Sequence, residues 1–435
     1  MECNALTAAG YRVSVICPKG PGDPAFEELD GVRLYKYAPP PPAEGMRGYL
    51  VEFGYCWLRT AVLSLKVLRR DGFDIIQACN PPDTYWALAL LYRARGTKFV
   101  YDQHDLNPEV FRSRFGEPTS LLARLQYRAL LWLERRTYRT ADRVVSTNES
   151  YRQVALRRGD VAPENATIVR SGPDTTVMRP VRGLPELRLG REHLLAYLGI
   201  MGPQDGVDIV LRTLDVLVNE RGRKDVSAAL LGFGDTFDEL VALTAELGLT
   251  EYVTFTGRVG PREITEYLST ASVGLSPDPF SPLNDVSTMN KTMEYMSFAL
   301  PVVAFDLTET RISGGGAVRY VEPARSTEPD EVRAALQRYA DAVEAVLDDP
   351  EQRAAMGLAG RRRAESDLDW RPQSAAYVSV FDSLTGRQRP AGTAADAGAM
   401  AAGTAVAEAG TNQWGDELVA VADDDQLRRF ARDRS

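Results

Sequence analysis

Residues 281–306 read SPLNDVSTMNKTMEYMSFALPVVAFD. The second part, from Pro301, is a short β-branched run that suits a buried strand. The first part has helical spacing: behind an opening residue at Ser287, the side chains of Met289, Met293, Met296 and Leu300 make an apolar stripe. Lys291 and Glu294 stand three residues apart on another face, with Asn290 just ahead of them. A helix start carries unpaired N–H groups and partial positive charge. A lysine there adds a full charge, so the turn suits an anion, phosphate above all. A glutamate one turn on is an acceptor suited to a ribose diol. The competing reading is a solvated ion pair with no ligand, and these residues alone do not choose between the two.

The pattern of helix leading into buried strand extends in both directions. In the first half, strands at 11–18, 73–80, 98–105, 142–148 and 166–172 are separated by helices at 46–70, 83–94 and 120–141. Residues 173–191 are rich in Pro, Gly and Arg and read as a linker. The alternation then restarts, with strands at 194–200, 226–234, 252–259, 271–278, 301–306 and 317–323. Helices are expected at 207–220, 235–249, 261–271 and 329–348, and two more within 351–385. Strands alternating with helices imply parallel sheets. The expectation is α/β: two doubly wound Rossmann-like domains, 1–172 and 192–370, facing a cleft. Ligands of such sheets sit beyond the carboxyl ends of the strands. The Ala/Gly-rich, low-complexity tail over 386–435 is expected to be disordered.

Composition narrows the classes. A net charge of −9 over 435 residues argues against a general nucleic-acid binder, which shows a basic domain. Cys3, Cys17, Cys56 and Cys79 have no metal or redox spacing, so ordinary thiols in a reducing cytoplasm are expected. With His104 and His193 as the sole histidines, a histidine-rich metal site is excluded. No run of about 20 apolar residues is long enough to span a membrane. The helix 46–70 nevertheless carries Tyr49, Phe53 and Trp57 with Lys66, Arg69 and Arg70. The helix 120–141 carries Arg124, Arg128, Arg135 and Arg136. Basic aromatic helices in an acidic chain suggest peripheral contact with an anionic bilayer; the alternative is that their apolar faces are core and the arginines merely solvated.

The ordered segments LTAAGYRVSVICP, YDQHDLNPE, DRVVSTN and IVRSGPD, then LLAYLGIMGPQDGVDIVL, LLGFGD, VTFTGRV and STMNKTMEYMSFALPVVAFDLTETR, resemble a family 4 (group 1) retaining glycosyltransferase of the GT-B fold, over about 1–385. The resemblance implies a nucleotide-sugar donor held by the second domain. It also implies a glycan or lipid-linked acceptor held mainly by the first, transfer with retention, and a last helix, 371–385, that crosses back to the first domain. Glu294 matches the second glutamate of the family's E-x7-E motif, which binds the nucleotide ribose.

Three departures matter. Val286 stands where the motif has its first glutamate, and Asp285, beside Asn284, is favoured to contact the donor sugar instead. The 199–206 loop, GIMGPQDG, lacks the family's usual cations. A leaving nucleoside diphosphate needs stabilising charge, so Lys291 and Arg258 are assigned to supply it, without a metal or other cofactor. Set against the resemblance, the chain starts in what should be the first helix, so a first domain without the family's first strand is expected. Gly202 is expected to form a tight turn near the diphosphate. Gly232 and Gly234 are expected to let backbone approach the nucleotide, although G-x-G alone is weak evidence. His104, in the loop after a strand, is assigned hydrogen bonding to donor sugar or acceptor, with Asp105 and Glu109 either orienting it or capping the next helix. Two rival readings stay open: a nucleotide-sugar 2-epimerase on the same fold, and a silent subunit that binds nucleotide sugar or a partner. The expected location is cytoplasmic, at the inner face of the plasma membrane.

Overall fold

A computed structural model describes residues 1–20, 22–40 and 45–388, with the side chains of 45–47, 49 and 50 left out. From 389 onward the expected disordered tail lies outside the described residues. The chain folds as two compact units. One holds Met1–Arg170 and the described residues from Arg371 on; the other holds Ser171–Trp370.

The strands of the first unit are β1 (Ser14–Pro18), β2 (Phe26–Leu29), β3 (Val32–Tyr37), β4 (Ile75–Cys79), β5 (Lys98–Gln103), β6 (Arg143–Ser146) and β7 (Ala166–Ile168). They form two sheets, ordered β1-β3-β2 and β4-β5-β6-β7. Pairing is parallel except for β2 with β3. That hairpin is absent from the sequence reading. It turns on Asp30 (φ 51°) and Gly31 (φ 76°), the left-handed pair that a tight two-residue turn demands. β1 and β4 are sheet edges and are half-exposed along most of their length, whereas β5 is buried after its first residue.

Helices Gly45–Arg70, Trp86–Arg93 and Leu121–Thr140 pack on these strands. Two further helices, Asn107–Phe115 and Glu149–Gly159, escape sequence reading because they are short, polar and only weakly amphipathic. The helix Trp370–Thr385 closes the unit: Tyr377 donates to Gln77 Oε1 at 2.6 Å, and Tyr11 donates to Asp382 at 2.6 Å. Asp71, at the end of the helix Gly45–Arg70, accepts hydrogen bonds from Ser14, Arg33 and Tyr35, binding that helix to β1 and β3.

The second unit has one parallel sheet ordered β10-β9-β8-β11-β12-β13. Its strands are β8 (His193–Leu198), β9 (Val226–Leu231), β10 (Val253–Gly257), β11 (Val273–Ser276), β12 (Val302–Phe305) and β13 (Val318–Val321). β8, β9, β11 and β12 are almost wholly buried, as the unbroken apolar runs require when helices cover both faces. Two apolar clusters result, one on each side of the sheet. The stretch 173–191 lies against this unit, Val181 N–H donating to Ser269 Oγ and Leu184 N–H to Thr270 Oγ1. Arg361 is buried and spends its guanidinium on the carbonyls of Met178, Ser297 and Thr175. No described helix is long and apolar enough to cross a membrane.

Removing Asp71 tests the tie in the first unit. Asp71→Ala leaves Arg33 and Tyr35 without their shared acceptor and lowers the unfolding free energy of that unit by about 3 kcal/mol. Urea unfolding followed by tryptophan fluorescence reads this; an unshifted transition overturns the role.

Candidate functional site

In the second unit the opening stretch folds otherwise than its sequence suggests. Ser287 does not open the helix: its hydroxyl donates to Leu283 O and closes the short turn Asn284–Val286. The helix runs Asn290–Ser297. Met293, Met296 and Leu300 are fully buried, so the apolar stripe is core, with Met289 packed at its edge.

Lys291 and Glu294 do not form a solvated pair. Lys291 is 8% exposed and donates from Nζ to Asp278 Oδ1 at 2.6 Å; Asp278 is 2% exposed. Ser276 holds the other oxygen of Asp278 at 2.7 Å. The ammonium also sits 5.5 Å from the ring centroid of Tyr197. The ion pair follows from topology, because Asp278 comes just after β11 and Lys291 opens the next helix. Sequence reading missed Asp278, since nothing local distinguishes it from any other loop acid. Glu294 is half-buried, and its carboxylate has no hydrogen-bond partner among the described residues. Burial raises its carboxyl pKa, and the Lys291 charge opposes that rise. Asn290 is exposed at the first turn.

The loops after β8 and β9 are zipped together. Gly199 N–H donates to Leu231 O, and Met201 N–H to Phe233 O. A Cβ on Gly232 would stand 1.8 Å from Gly199 O, and one on Gly234 2.4 Å from Met201 O. At these two positions glycine admits the neighbouring loop. Gly202 does form a tight turn, its N–H donating to Asp205 Oδ2 at 2.9 Å with Gln204 folded over it. Lys291 reaches this region: its Cε would lie 3.3 Å from a Cβ on Gly199.

Arg258 is exposed and stacks on Phe233, 4.2 Å from the ring centroid, a flat platform at the ends of β9 and β10. Asn284 bridges the carbonyls of Gln204 and Pro279. The two oxygens of Asp285 accept from Thr308 N–H at 3.0 Å and Thr308 Oγ1 at 2.9 Å. Asp285 thereby braces the start of the helix Thr308–Gly314.

In the first unit, β4 and β5 pair so that Cys79 lies beside Asp102. His104, two residues on, returns to the same face. Asp102, almost fully buried, accepts from Gln77 at 2.7 Å and from Cys79 at 3.4 Å, and stands 3.1 Å from His104 Nε2. The Asp102 and Cys79 hydrogen bonds push the His104 pKa up to about 11 against the opposing effect of burial. That direction favours the charged ring at neutral pH. Burial and the Asp102 charge together push Glu2 up to about 7, and burial raises the Cys79 thiol.

Cys79, Asp102 and His104 bring three ligand-type atoms within 4.8 Å of one another. Asn80 Oδ1 accepts from the backbone N–H of His104 and of Asp105, fixing the loop. Glu109 does not reach His104; it pairs with Arg158 at 2.6 Å.

Residues 1–172 match the family described as glycosyl transferase 4-like domain, and residues 192–360 match glycosyl transferases group 1. Among curated relatives, the α-D-kanosaminyltransferase of Streptomyces kanamyceticus is 27% identical over 86% of this chain and 93% of its own length. The GDP-mannose-dependent α-(1-6)-phosphatidylinositol monomannoside mannosyltransferase of Mycolicibacterium smegmatis is 28% identical over 46% of this chain, a match spanning only half of that relative. Among solved structures, the sucrose-phosphate synthase of Thermosynechococcus elongatus superposes with a TM-score of 0.66 at 18% identity, covering 88% of this chain and 91% of that one.

The two histidines report on these environments separately. His193 is depressed, chiefly by burial, and His104 is raised. Imidazole NMR signals should show His193 neutral and His104 protonated at pH 8, with His104 still charged at pH 9. The folded pKa of His104 lies above its unfolded value. Its contribution to stability is therefore complete below about pH 6.5 and is lost as pH rises toward 11. An ordinary titration of His104 near pH 6.5 would overturn the imidazolium assignment.

Proposed function

The chain belongs to the group 1 (family 4) glycosyltransferases of the GT-B fold, and on that premise we propose that it moves a sugar from a nucleotide-diphosphate donor to a hydroxyl of a glycan or lipid-linked acceptor. In this reading the work belongs to cell-surface polysaccharide or glycan assembly, at the cytoplasmic face of the membrane. The nucleotide sugar belongs to the second unit. The observation that carries this is the helix Asn290–Ser297, which starts with a buried, oriented ammonium and offers an unpartnered, half-buried carboxylate one turn later. Lysine has three donors, and Asp278 occupies one of them.

Lys291 here stabilises the departing diphosphate, with Arg258 and the backbone amides of the 199–206 loop. No metal ion is called on. Glu294 accepts from the ribose diol. Asn290 lies at the same helix start, within the donor site. His104, with only donors to offer while protonated, hydrogen-bonds the donor sugar or acceptor rather than removing its proton. That proton goes to an oxygen of the leaving diphosphate, as retention with front-face departure requires. Support for a nucleotide-sugar donor comes also from the mannosyltransferase relative, whose name specifies GDP-mannose.

Calorimetric titration with UDP, GDP and the two free nucleosides tests the assignment. Lys291→Ala leaves Asp278 buried and unpaired, so the uncharged pair Lys291→Met/Asp278→Leu keeps folding separate from binding. That double variant should weaken the preferred nucleoside diphosphate at least about tenfold while sparing the nucleoside. Glu294→Gln should weaken both about equally, by roughly tenfold. Equal loss of diphosphate and nucleoside in the lysine variant overturns its role; unchanged nucleoside binding in Glu294→Gln removes that residue from the ribose.

A further inference from the structure

Three helices of the first unit lie side by side, with Trp86–Arg93 in the middle. Ser64 and Tyr92 share a hydrogen bond of 2.8 Å between the first helix and the second. Trp86 and Trp132 meet edge to face between the second and the third, ring centroids 5.8 Å apart. Their inner faces are core, with Val67, Leu88, Ala89 and Tyr138 buried. Their outer faces are not polar. Leu58, Val62 and Leu65 are exposed on Gly45–Arg70, and Leu91 is exposed on the middle helix. Leu121, Leu122, Leu125 and Trp132 are exposed on Leu121–Thr140, the first of these at 85%. An open apolar groove of about 270 Å³ runs between the first two helices, walled by Leu65, Leu68, Leu88 and Leu91 with Arg95 at its edge. A soluble surface rarely keeps so many large apolar side chains in one layer without a partner.

The charge of the same layer identifies the partner. The three helices carry eleven basic and two acidic residues, Glu52 and Glu134, and Glu134 is buried. Their net charge is +9 in a chain whose total is −9, which leaves −18 for the rest. On the helix Leu121–Thr140, Arg124 and Arg128 alternate with Leu121, Leu122 and Leu125, and no acid on that helix is exposed. Apolar side chains reaching outward between arginines suit a surface with anionic headgroups above hydrocarbon. A second copy of the same face would bring like charges together, which argues against self-pairing.

We infer that the outer layer formed by Gly45–Arg70, Trp86–Arg93 and Leu121–Thr140 docks on an anionic lipid bilayer, the leucines and Trp132 entering the interface and the arginines meeting the headgroups. This rests on the reading of the chain as a transferase working at a membrane face, and it assigns that work a specific surface.

The test is co-sedimentation of the full chain with phosphatidylcholine vesicles, with and without phosphatidylglycerol. Binding is expected with phosphatidylglycerol only, and it should fall as salt is raised. Arg124→Gln/Arg128→Gln should lower the partition coefficient about thirtyfold, and Leu122→Asp/Leu125→Asp should abolish binding. These four positions lie on an exposed face, so the variants should melt like the parent and bind nucleoside diphosphate like the parent. Binding that is equal on both vesicles, absent from both, or unaffected by the arginine changes overturns the proposal. A sedimentation-velocity dimer that Leu122→Asp/Leu125→Asp dissolves would assign the face to a second copy instead. Loss of nucleoside-diphosphate binding by the parent would strike the transferase reading and leave the lipid result standing.

Discussion

An ammonium and a carboxylate 2.6 Å apart and nearly sealed from water hold the second unit's site in place. Neither Lys291 nor Asp278 tolerates burial alone, because an unpaired charge in a poorly polarisable interior costs several kcal/mol. Each therefore fixes the other. Asp278 also takes the hydroxyl of Ser276, which in turn accepts from Thr292. The end of β11 and the first turn of the next helix are thus one hydrogen-bonded body. A lysine held this way presents its remaining donors from a set position.

The backbone around that pair is shaped by a different constraint. Gly199, Gly232, Gly234 and Met201 approach so closely that side chains at Gly232 and Gly234 would overlap the opposing carbonyls. Glycine lets the loops after β8 and β9 share hydrogen bonds, and that contact puts Phe233 where Arg258 can lie over it. The first unit uses another device. There one buried carboxylate, Asp102, gathers Gln77, Cys79 and His104 and favours the charged ring. Each unit thus buries a carboxylate against a basic side chain, Asp278 against Lys291 and Asp102 against His104.

Much of the architecture was legible. The runs around Leu194, Ala229, Leu275 and Val303 are unbroken, apolar and short, as strands covered on both faces read. The hairpin β2–β3 escaped because FEEL and VRLYKY carry charges and show little apolar alternation, although Asp30-Gly31 marked the turn. The helix start at Asn290 was misplaced because Ser287 has the chemistry of a cap, yet its hydroxyl serves the preceding turn. The contact of Asp285 with Thr308, 23 residues on, was not legible either, because the two meet only in the fold.

By itself, then, the chain's order of residues determined the alternation of helix and strand, the division into two layered domains, the family, and the placing of Lys291 and Glu294 on one short helix. These depend on local periodicity and composition, which neighbours in sequence carry. Tertiary structure alone decided which partner each charged group has: Asp278 for Lys291, Asp102 for His104, Arg158 for Glu109, Thr308 for Asp285. It also decided that apolar side chains of three helices stay outside rather than within the core. The physical reason is range. A hydrogen bond or ion pair acts over a few ångströms in space, and parallel crossovers bring to that distance residues that the sequence keeps far apart.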